Sequence, residues 1–555
     1  MLHELKPLIS DSDLHLLPLA LKTVESILSV SPSSVNEVKS FILPSLFQLM
    51  ESPLLQGSSL ESLLNMFAAF AKVSPADYQA LVHGLVDPLL SAKTSAGVSA
   101  GGVAAVANKQ AASTVAQCVA VLAANANDNN CDTTIREFQN YLTTPNVNDS
   151  ILYLALLTIG EIGRRIDLSA YDNMDELVTN MFVSQSEEVK FAAAFALGNI
   201  CVGNIHKYLP SIVTQIKEQP KRRYLLLHAL KELITRYDGN SKDNSLSSTA
   251  DEIWTLLLES SESDQEEGTR TVVAECLGKL ALTDSRKFLP QLEDRLTSTS
   301  AFVRATVATA IKYAVVDPSP EYDDLLKPIM AKFLSLLEDA DLNVRRLALL
   351  TINSAAHRKP YLIRNVLDQL IPLLYAETVV KEELIHTVEM GPFKHKVDDG
   401  LEIRKAAYEC MYTLLSTCLD KIDVYGFLDH IRVGLDDQHD IKMLAYLMLI
   451  RLSKVAPTAV SQRLDELIVP FKTTLDFKMR SNAVKQEVEK NQELIRAVIR
   501  CIVALNPLSD PIVSPRFEQF VSSVKTGPFS DDIKSTILET ESRENRSVDY
   551  MDLSS

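Results

Sequence analysis

Residues 339–356 read DADLNVRRLALLTINSAA. Asp341 stands where it can cap a helix, and Val344, Ala348 and Ile352, spaced four apart, form one apolar stripe along that helix. Arg345 and Arg346 follow the first apolar anchor, where a long cationic side chain can reach the acidic turn of a neighbouring unit. The plan recurs in SEEVKFAAAFALGNI (186–200), with Val189, Ala193 and Leu197, and in SAFVRATVATAIKYA (300–314), with Val303, Val307 and Ile311. Ile403/Ala407/Met411 and Ile441/Ala445/Leu449 repeat it, and looser versions start at Leu16, Leu60, near Ala112, and at Ile151, Arg222, Thr269 and Leu494. From Ile151 the successive steps are 38, 33, 47, 34, 41, 59 and 38 residues. A helix pair of this size cannot bury its apolar face alone. The recurrence therefore predicts an all-α solenoid of about twelve stacked helix pairs, with small residues at the stripe centres letting adjacent helices approach.

Composition agrees with a helical chain. Of its 555 residues 46% are hydrophobic, with 17 Gly and the single tryptophan Trp254. The net charge of −17 argues against nucleic acid as the main ligand, because phosphate neutralisation needs a basic face. Lys221-Arg222-Arg223 reads as a solvated turn, and an acidic solenoid suits a basic protein surface. Cys118, Cys131, Cys201, Cys276, Cys410, Cys418 and Cys501 are scattered without CxxC or Cys/His spacing, and read as reduced, buried hydrophobes. No leader opens the chain and no uncharged apolar run reaches 18 residues, so no membrane association is expected and the expected location is cytoplasm and nucleus.

Three stretches depart from the rhythm. Residues 91–110, rich in Gly, Ala and Ser, are expected to be an inter-helix loop. Residues 237–249 form a polar loop that accounts for the 47-residue step. Beyond about residue 507 Pro and Ser increase, and the acidic end is expected to be disordered. The expected organisation is a helical-repeat region over 1–375, an insertion at 376–400, further repeats over 401–507 and a partly disordered tail over 508–555. Met1 to Ser10 supplies little of a polar capping repeat, so the chain is expected to open in mid-stack, lacking a preceding half.

The 59-residue step from Val344 to Ile403 holds about 20 residues that a repeat does not need. Within AETVVKEELIHTVEMGPFKHKVDDG (376–400), Leu384, His386, Val388 and Met390 alternate with Ile385, Thr387 and Glu389. Gly391-Pro392 marks a turn, after which Phe393, His395 and Val397 alternate with Lys394, Lys396 and Asp398. This pattern predicts a projecting β-hairpin near 379–398, with about seven residues per strand and a reach of about 23 Å. An isolated apolar ribbon is marginal in water and hazardous uncovered. It could fold back into the solenoid's own groove, or the segment could extend a helix; the tip chemistry favours partner contact. The candidate contact residues are Leu384, His386, Val388, Met390, Gly391, Pro392, Phe393, Lys394, His395 and Val397.

Nothing supports catalysis: the sequence holds no phosphate loop, HExxH, GxSxG or DxDxDG element. His386 and His395 could face each other across the hairpin, but without a carboxylate or Cys in register they are not read as a metal site. Cys410 and Cys418 lie on one stripe and read as core. The expectation is a non-enzyme without cofactor or metal.

An apolar–basic pair opening the second helix of each pair is similar to the HEAT-repeat signature. HKYLP (206–210), EQPKRRYLLLHALKELI (218–234), EEGTRTVVAECLGKLAL (266–282), LEDADLNVRRLALLTINSAAHRKPYLIR (337–364) and VEMGPFKHKVDDGLEIRKAAYECMYTLL (388–415) go further. They resemble the cullin-associated, neddylation-dissociated protein family, over about residues 1–505 and only its C-terminal half, VEMGPFKH being the most diagnostic stretch. The resemblance implies a regulator of cullin–RING ubiquitin ligases that grips a cullin–RING-box complex. Its hairpin, Val379–Asp398 here, would occupy the substrate-adaptor site, with Met390, Pro392, Phe393 and His395 near the tip, and would promote adaptor exchange by reciprocal destabilisation. The family's N-terminal arch, which covers the modified cullin lysine, has no counterpart here. The chain is therefore not expected to block neddylation alone; it is either a piece of a longer protein or a separately encoded half that joins an N-terminal partner chain. The loop at 91–110 does not match the family pattern. The alternative class is a karyopherin-like transport receptor, which would respond to a GTP-bound small GTPase. A phosphatase scaffold would have more uniform repeats and no ribbon.

Overall fold

A computed structural model describes residues 2–50, 52, 54–91, 103–237, 246–263, 266–390, 393–480 and 484–540. The chain divides into two compact units, Met1–Leu280 and Ala281–Ser555. In the first, the stripe helices Leu16–Val30, Gly57–Val73, Val103–Ala124, Asp149–Gly163, Glu187–Gly203 and Arg223–Arg236 pack in succession, and Glu267–Ala281 closes the series. In the second the succession is Ala301–Val316, Leu342–Arg358, Leu401–Thr417, His439–Val455 and Lys485–Leu505. Every expected stripe falls on one of these helices, Arg222 at a helix cap. Among the described residues none of these helices is long and apolar enough to cross a membrane.

Local chemistry starts the helices as the sequence requires. The side chains of Ser186, Ser300 and Asp341 accept hydrogen bonds from the backbone N–H of Val189, Val303 and Val344, so the three quoted stretches open on the same cap. All fifteen residues of the five clear stripes are at most 2% exposed. Full burial of each Val, Leu or Ile among them contributes about 1.5–3 kcal/mol. Small residues bring the helices close. A Cβ added to Gly198 would lie 2.3 Å from the carbonyl oxygen of Ala229, and one on Gly160 would lie 2.8 Å from the Cα of Ala196.

In the second unit the arginine after three of the anchors reaches the next repeat, forming a ladder of ion pairs, whereas Lys190 of the first unit pairs with Glu187 of its own helix. Arg304 grips Asp339 through two bonds, Nε at 2.6 Å and Nη2 at 2.7 Å. Arg345 reaches Glu377 at 3.4 Å and also bonds the Asp339 carbonyl. Arg404 holds Asp437 at 2.8 and 2.9 Å. Each guanidinium satisfies a turn that would otherwise present a half-buried carboxylate.

One expectation is corrected. The Gly/Ala/Ser stretch is not loop throughout: from Val103 it is already the start of the helix Val103–Ala124, because an alanine-rich run has the highest helix propensity. Residues 92–102 lie outside the described residues, as do 238–245 of the polar loop. Beyond 507 the chain remains helical over Pro515–Thr526 and again over 530–540. Pro515 sits in the first turn, where a missing N–H costs nothing, and Phe517, Phe520, Val521 and Val524 are buried on one face. The acidic end, 541–555, is outside the described residues.

Candidate partner-binding hairpin

The insertion leaves the repeat stack intact. Helices Leu342–Arg358 and Leu401–Thr417 pack directly on each other although their anchors are separated by the long step. The helix Leu367–Ala376 and then the ribbon lie between them in sequence. Strands β1 (Ile385–Met390) and β2 (Phe393–Asp398) pair antiparallel, in the register Ile385↔Asp398, His386↔Val397, Thr387↔Lys396, Val388↔His395, Glu389↔Lys394 and Met390↔Phe393. Among the described residues this sheet has two strands, so each strand keeps one edge unpaired.

Paired residues share a face. His386, Val388, Met390, Phe393, His395 and Val397 therefore stand on one face, and Ile385, Thr387, Glu389, Lys394, Lys396 and Asp398 on the other. The expected alternation is thus present, with Lys394 opposite the apolar residues. Val388 and Val397 are exposed, as are Thr387, Glu389 and Lys396, so this part of the ribbon is not folded back against helices. Gly391 and Pro392 are outside the described residues, and so are the side chains of Met390, Phe393, Lys394 and His395.

The structure changes three details. The strands are six residues long, reaching about 20 Å rather than 23 Å. Residues Glu382–Leu384 form a single 3₁₀ turn instead of extending β1. Leu384 consequently belongs to the root: its carbonyl accepts from the Asp399 N–H at 3.1 Å, and a Cβ on Gly400 would come within 3.1 Å of its Cδ1. His386 and His395 share a face but are not opposite; each pairs with a valine, and the His386 Nδ1 lies 3.5 Å from Asp399.

The root contains groups that sequence reasoning did not single out. Before β1, the buried Glu377 receives Lys381 at 2.8 Å as well as Arg345. Thr378, fully buried, bonds the Tyr375 carbonyl and the Nδ1 of His430 at 2.8 Å. The Tyr375 and His430 rings stack with centroids 3.9 Å apart, and burial pushes the His430 imidazole below the usual histidine range. After β2, Asp398 accepts from the Gly400 N–H at 3.0 Å and from Arg404 at 2.8 Å. A signal was available: the rungs Arg304–Asp339, Arg345–Glu377 and Arg404–Asp437 join residues 35, 32 and 33 apart, one repeat each time.

Stacked anchor–Arg helices, a one-repeat ladder and a ribbon looped out between two neighbouring repeats define a HEAT-type α-solenoid protein. A solved structure described as the Kap95:Nup1 complex shares the fold, with a TM-score of 0.51 at 13% identity, covering 97% of this chain and 68% of that one. The family model described as TATA-binding protein interacting (TIP20) matches residues 362–525, a span that includes the hairpin. Cullin-associated NEDD8-dissociated protein 1 of Arabidopsis thaliana is 43% identical over 95% of this chain and 43% of its own length. A relative in Emericella nidulans, named as the C-terminal part of that protein, is 39% identical over 62% of this chain and 33% of its own length. The chain spans under half the length of these relatives. It belongs to the cullin-associated, NEDD8-dissociated family.

Proposed function

We propose that this chain is a non-enzymatic, cullin-binding regulator of ubiquitin ligases, and that its hairpin enters the site a substrate adaptor would use. The observation that carries the reading is the ribbon: its residues Thr387, Val388, Glu389, Lys396 and Val397 are exposed, its register puts the histidines and every apolar position but Ile385 on one face, and the chain belongs to a family whose members are named for cullin association. An exposed apolar ribbon without a partner is a liability, and covering it on binding removes that liability. If hairpin and adaptor cannot both be seated fully, each weakens the other's binding by the same factor, which makes the chain an exchange factor.

The test is a pull-down of the chain with an unmodified cullin–RING-box complex, with and without excess adaptor. Binding that adaptor suppresses supports the reading. A variant with Met390, Pro392 and Phe393 made polar should keep its helical content and some cullin binding but lose competition. Absence of cullin binding, alone and with the family's N-terminal half added in trans, would overturn it.

A further inference from the structure

The ribbon is held at both feet by rungs of the repeat ladder. On the β1 side Glu377 takes Arg345 from the preceding stripe helix and Lys381 from the approach to the strand. On the β2 side Arg404 donates to Asp437 of the following repeat and, with the same Nη2, to Asp398, the last residue of β2. The Arg404 side chain is 3% exposed and that of Asp437 5% exposed, against 16% for Asp398. Arg304 stands at the same position of its helix, one residue after the anchor, and among the described residues its carboxylate partner is Asp339. Arg404 thus does the ordinary work of a rung and has a second carboxylate added.

The charge count explains why Asp398 is the informative residue. Arg404 and Asp437 already balance, so Asp398 brings a surplus negative charge into a mostly buried site. Burying such a charge is costly unless its hydrogen bonds are all made. Here one carboxylate oxygen takes the Gly400 N–H and the other takes Arg404. Gly400 is closely surrounded: a Cβ there would lie 3.1 Å from Leu384, 3.3 Å from the Asp398 carboxylate and 3.4 Å from Arg404. A flexible tether would need none of this.

We propose that Asp398, acting through Arg404, is a positioning residue that fixes the attitude of the hairpin to the repeat stack. The ribbon is thereby presented already ordered, and its ordering entropy is not taken from the binding step. Seating of a partner on the hairpin is then mechanically tied to its seating on the flanking helices. The functional part of this inference rests on the cullin-competition reading above.

The experiment compares Asp398→Ala with Asp437→Ala in the full chain. Asp398→Ala leaves the neutral Arg404–Asp437 rung, whereas Asp437→Ala breaks it. Hydrogen–deuterium exchange of the chain alone is read over 385–398, and adaptor competition is then measured on the cullin–RING-box complex. Asp398→Ala should exchange its hairpin amides at least tenfold faster, with helix protection and thermal midpoint unchanged. Its competition should weaken at least fivefold, and Asp398→Asn should restore part of both. Asp437→Ala should lower the thermal midpoint. Hairpin exchange equal to that of the parent chain would overturn the positioning role, and so would faster exchange with undiminished competition. A parent chain that fails to bind the complex tells against the cullin reading only, because the exchange comparison needs no partner.

Discussion

Replacing Gly198 with alanine puts one methyl group where two helices of the first unit touch. The new Cβ would stand 2.3 Å from the Ala229 carbonyl oxygen, 2.7 Å from the Glu232 Cβ and 3.2 Å from the Ala229 carbonyl carbon. Two of the three are backbone atoms, so no rotamer change relieves the clash. Helices Glu187–Gly203 and Arg223–Arg236 must part by roughly 1 Å, and a gap of that size forfeits a quarter to a half of each pair's dispersion well along the seam. Overpacking of this kind costs about 3 kcal/mol, against which alanine's better helix propensity returns less than about 1. Gly268 is the control. It lies in the first turn of Glu267–Ala281, and its Cβ would meet only the Tyr224 ring, at an ordinary 3.7 Å. Gly268→Ala should therefore be neutral or stabilise by up to about 0.5 kcal/mol. Urea unfolding followed by circular dichroism, with calorimetry to separate the two units, measures both. Gly198→Ala should lower the first unit's thermal midpoint by roughly 4 °C, since the net cost is about 2 kcal/mol and about 2 °C accompanies each kcal/mol at this size. If the two variants shifted stability equally, backbone contact would not be what sets helix spacing here.

Two further outcomes follow from buried titrating groups. Lys359 bonds Asp323 at 2.8 Å and the Ser319 carbonyl at 2.6 Å, with Tyr361 donating to the same carboxylate. Lys359→Met should cost about 3 kcal/mol, while Lys359→Met with Asp323→Leu should recover most of it in urea unfolding at pH 7. Burial works to raise the Asp323 carboxyl, but bonds from Lys359 and Tyr361 win and hold it below its ordinary 3.8. Its contribution is accordingly present above that value and lost as pH falls further. His228, packed edge-on against Phe191 and Tyr224, is pushed down from 6.5 to about 4 by burial. The unfolded chain then binds the extra proton, so stability is full above about pH 6.5 and declines toward pH 4. The ceiling is about 3 kcal/mol, and partial solvent access reduces it to about 1–2. His228→Phe should flatten that slope in unfolding titrations; an unchanged slope would rule His228 out as its source.

The repeats were legible because each helix carries its own evidence: a cap, an anchor and a stripe at fixed spacing, such as Asp341, Val344, Ala348 and Ile352. The ribbon was legible for the same reason, its alternation being local. Errors arose where composition outweighed pattern. Proline and serine beyond 507 concealed the spacing of Phe517, Phe520, Val521 and Val524, and glycine near 100 concealed an alanine-rich helix start. The root could not be read locally at all. Thr378 and His430, or Arg404 and Asp437, meet only because repeats stack, and one-repeat spacing becomes a signal only once the ladder is known.

Strand periodicity sets a rule for how this ribbon can change in length. Each residue inserted or lost between a rung and the tip turns every later side chain to the opposite face. A single deletion in β1 would carry Val388 and Met390 to the side now held by Thr387 and Glu389, while the clamps at Glu377 and Asp398 stayed where they are. Removing two residues from each strand, opposite one another, would shorten the ribbon by about 6.6 Å and leave both the pairing and the faces of the remainder intact. Length in this segment can therefore drift only in matched steps across the two strands, and a ruler made by trimming it that way would measure how deep its binding site is.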